Sequence, residues 1–203
     1  MSSEAKTFTG NCGWIVLSAD SNSKIQAFSD FSGIEKKQVD WNTGVAEVFK
    51  SDLTFISPAI NGKVVIVSKW ILTNDIEFTQ DLLRRLSLEF MTSMAFCYWE
   101  TSGFCSWMRY DNGALTRGLI SNYGGYSQDH IPLNYGEPTE VERGFKWDKL
   151  YTLNVAEDED CFIPGNKELL AVSTSWGFNP EESIDLSKVN EPGFLFKFVP
   201  PKV

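Results

Sequence analysis

The chain is poor in the residues that carry most protein chemistry. It has one histidine, His130, in 203 residues. An imidazole next to Asp129 can serve as a base with an orienting carboxylate, or it can be an ordinary surface histidine. A hydrolytic role also needs a nucleophile, and no G-x-S-x-G or reactive-cysteine signature is present. The four cysteines, Cys12, Cys97, Cys105 and Cys161, are scattered and form no C-x-x-C. That argues against zinc and thioredoxin-like redox sites and for reduced, mostly buried thiols. No Lys-Ser/Thr follows Gly124-Gly125, so these glycines make no phosphate loop. We expect no cofactor, no metal site and no enzymatic activity.

Long apolar runs are missing too, and none approaches the ~20 residues that span a bilayer. The start, MSSEAKTFTGNCG, has no basic stretch followed by an apolar one, so no secretory leader is expected and the chain should be cytoplasmic. Basic residues are in the minority: Lys and Arg number 18 against 27 Asp and Glu, for a net charge of −9. Such an excess repels nucleic acid and anionic lipid. It serves solubility alone, or it also steers association with a basic partner.

What the chain does have is aromatic side chains: seven Trp, fifteen Phe and six Tyr. They recur inside short strand-like runs, most densely in Met94–Tyr110. Trp14–Ala19, Asp52–Ser57 and Lys63–Ile71 read as strands, with Pro58 ending the second and Asn61-Gly62 suited to a hairpin turn. Val39–Phe49 alternates only loosely. Phe78, Leu82, Leu86 and Phe90 recur every four residues and predict a helix over Glu77–Met91. Met94–Trp99, Phe104–Tyr110 and Ala114–Ser121 predict an antiparallel meander, its second turn at Asn112-Gly113. Shorter helices are expected over Ser23–Phe31, after an N-cap at Thr139 with Glu142 completing a capping box, and from Asn166 to Trp176. Gly193–Val199 reads as a last strand. These elements make one α+β domain over residues 1–203, with a mostly antiparallel meander sheet packed with two or three helices and frayed ends at about 1–10 and 200–203.

Several residues are candidates for a functional surface. Glu157, Asp158, Glu159 and Asp160 are the strongest charge run; they lack the order of an EF-hand loop and suit a solvated acidic loop or docking of a basic partner. Glu137, Glu140 and Glu142 are a second acidic group, explained by helix N-terminal placement or by partner binding. Tyr123 and Tyr126 lie in a Gly/Tyr/Ser-rich loop and suit aromatic anchoring. Arg109 and Arg117 fall on consecutive strands, close across the turn, where they either bind a carboxylate or phosphate or pair with local acids.

Taken in order, several segments resemble a widespread and largely uncharacterised bacterial family. They are Trp41-x-x-Gly44; Phe55-x-x-Pro58-x-Ile60-x-Gly62 before a Val/Ile strand; Leu86-Ser87-x-x-Phe90; Trp107-x-Arg109-x-x-Asn112-Gly113-x-x-x-Arg117; Gly136-Glu137-x-Thr139-x-x-Glu142; and Ala171-x-x-x-x-Trp176-x-x-Asn179-Pro180. The resemblance covers about Trp41–Pro180. Ser121–Leu133 departs from the aromatic strand expected there. Some proteins of this kind stand in toxin–immunity gene neighbourhoods, which implies an antitoxin-like role: binding a cognate, basic toxin protein, with no nucleic acid or membrane as partner. The resemblance brings no catalytic motif.

Overall fold

The computed structural model describes residues 10–28, 31, 34–73, 76–121, 133–145, 162, 164–182, 184–186, 189 and 191–198. Its central strands are apolar at almost every position rather than at every second one. β1 (Cys12–Ser18) reads CGWIVLS and β4 (Lys63–Ser68) reads KVVIVS, and all but their ends are buried. A strand alternates its side chains between two faces, so such a run requires both faces to be covered.

In chain order the remaining elements are α1 (Ser23–Ala27), β2 (Lys37–Val39), α2 (Trp41–Lys50), β3 (Thr54–Ile56), α3 (Ile76–Phe90), β5 (Thr92–Trp99), β6 (Phe104–Asp111), β7 (Ala114–Ser121), β8 (Leu133–Tyr135), α4 (Glu140–Arg143), α5 (Asn166–Ser175) and β9 (Gly193–Phe196). The strands form one nine-stranded sheet in the order β2-β9-β3-β4-β1-β5-β6-β7-β8. Every pairing is antiparallel. This is the expected α+β architecture. Among the described residues it has five helices, of which α2, α3 and α5 reach ten residues or more.

One face carries Ile15, Leu17, Ile66, Ala95 and Met108 and packs against Phe78, Leu82 and Leu86 of α3. The other carries Trp14, Val16, Val65, Phe96 and Trp107 and packs against Val45 and Val48 of α2 and Leu169 and Val172 of α5. The helix predicted from the four-residue stripe is therefore α3, and Phe78, Leu82, Leu86 and Phe90 are all buried. The meander is β5–β6–β7. Its Asn112-Gly113 turn has φ of 49° and 81°, and Asn61-Gly62 has 52° and 71°, the double positive φ of a type I′ turn.

Four expectations need correction. Val39–Phe49, read as loose alternation, is mostly α2. Asp40 caps it, its carboxylate accepting from Thr43 N at 3.0 Å. Its buried residues Trp41, Gly44, Val45 and Val48 have the i, i+3, i+4, i+7 spacing of a helix face. The strand expected to reach Ile71 ends at Ser68; Trp70, Ile71 and Leu72 instead turn into the core beneath α3. The cap of α5 is Gly165 rather than Asn166, and Glu168 Oε2 accepts from Gly165 N at 2.9 Å. The α1 helix covers only Ser23–Ala27, short of the expected Phe31.

Phe55 shows how tightly the α2 face is closed. Its ring lies edge-on to Trp41, centroids 5.7 Å apart. A Cβ added at Gly44 would sit 2.2 Å from the ring, and one added at Gly193 2.3 Å from it. Both glycines are thus required by the close approach of α2 and β9 to one aromatic side chain. Gly44→Ala should destabilise the protein by about 1–3 kcal/mol, the usual cost of overpacking. In a Phe55→Leu background the same change should cost clearly less. Urea unfolding of the four members of this cycle measures the difference, and equal costs in both backgrounds would contradict the contact.

Candidate functional site

Of the acidic and basic candidates, Glu142, Arg109 and Arg117 come together at the β6–β7–β8 end of the sheet, on the face covered by α5. A register shift between Arg109 and Tyr110 sets Arg109 directly opposite Arg117. The two arginines are neighbours, as their spacing suggested, but each is engaged by a carboxylate of the protein.

Arg117 is 3% exposed and Glu142 is 0% exposed. Glu142 Oε1 stands 2.7 Å from Arg117 Nη2 in an ion pair, and accepts hydrogen bonds from Arg117 Nε at 2.8 Å and Trp107 Nε1 at 2.9 Å. Its Oε2 accepts from Thr139 N at 2.9 Å, and Glu142 N donates to Thr139 Oγ1 at 3.3 Å, which completes the expected capping box. Arg117 Nη1 donates to Asn134 Oδ1 at 2.8 Å, Tyr135 O at 2.7 Å and Gly118 O at 3.1 Å. One buried ion pair therefore ties β6, β7, β8 and α4 together. Gly136, at φ +77°, allows the link between β8 and α4 to lie on β7, since a Cβ there would be 2.2 Å from Thr116 O.

Arg109 Nε donates to Asp111 at 2.9 and 3.2 Å. Thr116 Oγ1 and Thr92 Oγ1 donate to the same carboxylate at 2.8 and 2.7 Å. Burial alone would raise the pKa of Asp111, but the hydrogen bonds from Arg109, Thr92 and Thr116 outweigh it, and the carboxyl is held below its usual value.

These contacts correct two site expectations. Glu142 is not a surface charge for a partner, because its carboxylate is sealed against Arg117 and Trp107. Arg117 does not offer its guanidinium to an outside anion, because it faces Glu142, Asn134 and Tyr135; pairing with local acids prevails. Glu137 and Glu140 remain exposed at the start of α4. Tyr123, Tyr126, Asp129, His130, Gly124-Gly125, Cys161 and Glu157, Asp158, Glu159 and Asp160 lie outside the described residues.

Cys12, Cys97 and Cys105 are buried. Burial pushes the Cys12 thiol up to about 12 and raises Cys97 and Cys105 as well, so none offers a thiolate near neutrality. Among the described residues no three His, Cys, Asp or Glu side chains gather as a metal site, and no helix is long and apolar enough to cross a membrane. The roles of Trp107 and Asn134 as partners of the ion pair escaped the sequence. The Thr139-x-x-Glu142 spacing was a usable signal for Glu142, since a capping box turns that carboxylate back toward the chain.

Removing one member of a buried pair leaves the other charge uncompensated, at about 3–5 kcal/mol. Glu142→Ala should lose about that much in denaturant unfolding, whereas Arg117→Met combined with Glu142→Leu should lose far less. Asp111 has its own pH signature. Its folded pKa is lowered, so its contribution is present above the unfolded value of about 3.9 and fades as pH falls through the folded value. The stability difference between wild type and Asp111→Asn should therefore be constant near neutrality and shrink below about pH 4. A difference that is flat down to about pH 2, read by urea midpoints, would contradict the Arg109–Asp111 geometry.

No protein-family model matches the chain, and no curated protein and no solved structure shows significant similarity to it.

Proposed function

We propose that the protein is an immunity protein, one that binds a cognate bacterial toxin in the cytoplasm and neutralises it by occluding its active site or substrate path. The observation that carries this reading is the division of charge at the β8–α4 corner. The arginine and glutamate that face each other there are consumed inside, while Glu137 and Glu140 stay exposed on and beside a short helix clamped to the sheet. Carboxylates on a rigid element lose little freedom on association. The net charge of −9 adds long-range attraction toward a basic protein. The ordered motifs between Trp41 and Pro180, which resemble a family with members in toxin–immunity neighbourhoods, support the same reading. Binding of a small anion at Arg109 and Arg117 is the weaker alternative, because Arg117 donates inward.

Co-expression with the product of the neighbouring gene should yield a stable complex and protect the host cell from that product. No complex and no protection overturn the proposal. Glu137→Lys combined with Glu140→Lys should slow association by about tenfold at low salt and less at high salt, the behaviour of exposed steering charges. The thermal midpoint of the free protein should be unchanged.

A further inference from the structure

The chain contains two Asn-Gly dipeptides, Asn61-Gly62 and Asn112-Gly113. Both make the same kind of turn, with positive φ at each residue. Asparagine before glycine is chemically labile in water. The glycine nitrogen, once it has lost its proton, attacks the asparagine Cγ, and glycine has no side chain to obstruct the approach. A difference between two such turns must come from what surrounds the glycine N–H.

The surroundings are unlike. The Asn112-Gly113 turn is docked on the end of α3. Asn112 N donates to Met91 O at 2.8 Å, and Gly113 N donates to Ser87 Oγ at 2.9 Å. Ser87 is buried, and its hydroxyl is anchored by donating to Arg84 O at 2.9 Å. A Cβ added at Gly113 would lie 2.8 Å from Leu88 Cδ2, so the helix also crowds the glycine. The nitrogen that would attack is held by a hydroxyl, and its proton must leave that bond before it can be lost. The turn at Asn61-Gly62 has no such support. Both residues are exposed, and a Cβ added at Gly62 would meet nothing within 4 Å. The turn is closed by Ile60 N to Lys63 O at 2.8 Å and Lys63 N to Ile60 O at 3.0 Å, and Gly62 O accepts from Ala19 N at 3.0 Å. None of these bonds uses the Gly62 N–H, and among the described residues nothing accepts from it.

We propose that Asn61 is a site of spontaneous deamidation in the folded protein, and that Ser87 shields Asn112 from the same reaction. The deprotonated Gly62 nitrogen attacks Asn61 Cγ. The N–Cγ bond forms, the Cγ–Nδ2 bond breaks, and the proton taken from Gly62 N leaves with the amide group as ammonia. The product is a cyclic imide. Water then opens it, hydroxyl going to a carbonyl carbon and proton to the nitrogen. Opening at Cγ gives aspartate; opening at the main-chain carbonyl gives isoaspartate, with an extra methylene in the backbone. Water is the sole co-reactant. Either product adds a negative charge to the turn, and isoaspartate also disturbs the Ile60–Lys63 bridge that closes it. The inference is independent of the immunity reading.

Full-length protein is held at mildly alkaline pH and sampled over days. Mass spectrometry of its peptides reads conversion of amide to acid at Asn61 and Asn112, and electron-transfer fragmentation distinguishes isoaspartate. Each rate is divided by the rate of the same site in protein unfolded in guanidinium chloride, which removes the effect of flanking residues. The normalised rate should be higher at Asn61 than at Asn112 by about fivefold, the factor that one net hydrogen bond supplies. Ser87→Ala, which removes the acceptor of Gly113 N–H, should speed Asn112 and leave Asn61 unchanged. If that variant does not fold, amide hydrogen exchange of the wild type carries the result, with Gly113 N–H exchanging more slowly than Gly62 N–H. Equal normalised rates at the two sites, a higher one at Asn112, or no conversion of Asn61 in folded protein overturns the proposal. So does a folded Ser87→Ala in which Asn112 is no faster, or equal exchange of the two glycine N–H groups.

Discussion

Strands that are apolar on both sides admit few arrangements. In β1 and β4 nearly every side chain is buried, so the sheet they join needs a layer on each face. A helix on one face alone would leave Trp14, Val16, Val65 and Val67 in water. At about 25 cal/mol per Å² of apolar area, that exposure outweighs any single polar contact described above. The long amphipathic α3 covers one face, and the shorter α2 and α5 divide the other. The aromatic content follows from the same requirement. Stacking of Trp14 on Phe96, with centroids 5.5 Å apart, and the contact of Phe96 with Trp176 at 5.3 Å join β1, β5 and the end of α5.

The Arg117–Glu142 pair is the polar exception within that apolar frame. Two charges withdrawn from water are tolerable only when their hydrogen bonds are answered. Here both carboxylate oxygens and the guanidinium find partners on three strands and a helix. The result is positional. A four-residue helix has little stability of its own, yet α4 is held in one place. Its outward carboxylates inherit that fixity. Internal hydrogen bonds thus determine where the surface anions stand.

Much of the fold was legible because local signals agreed with one another. The four-residue stripe of α3 and the two Asn-Gly turns each specify a period or a backbone angle, and each is found. The α2 helix was less legible. Val45, Val48 and a glycine are weak helix formers, and tertiary packing of Trp41 and Gly44 against Phe55 overrides that weakness. At the site, the proximity of Arg109 and Arg117 was readable from the hairpin turn. Their loss as an anion cradle was not, because Glu142 meets Arg117 only after the chain has returned through β8.

By itself the sequence determined the α+β class, the buried character of the core strands, the turn positions and the acidic balance. These depend on residue type and on spacings of a few positions, which act through local sterics and hydrophobic periodicity. Only the tertiary structure decided which carboxylates are exposed. Glu137, Glu140 and Glu142 are equivalent as a run of acids, and Glu142 alone is drawn inside because Arg117 and Trp107 wait on the sheet face above it. The two Asn-Gly turns are equivalent as dipeptides in the same way. Gly113 gives its N–H to Ser87 because the β6–β7 turn packs on α3, a long-range contact that no local pattern encodes.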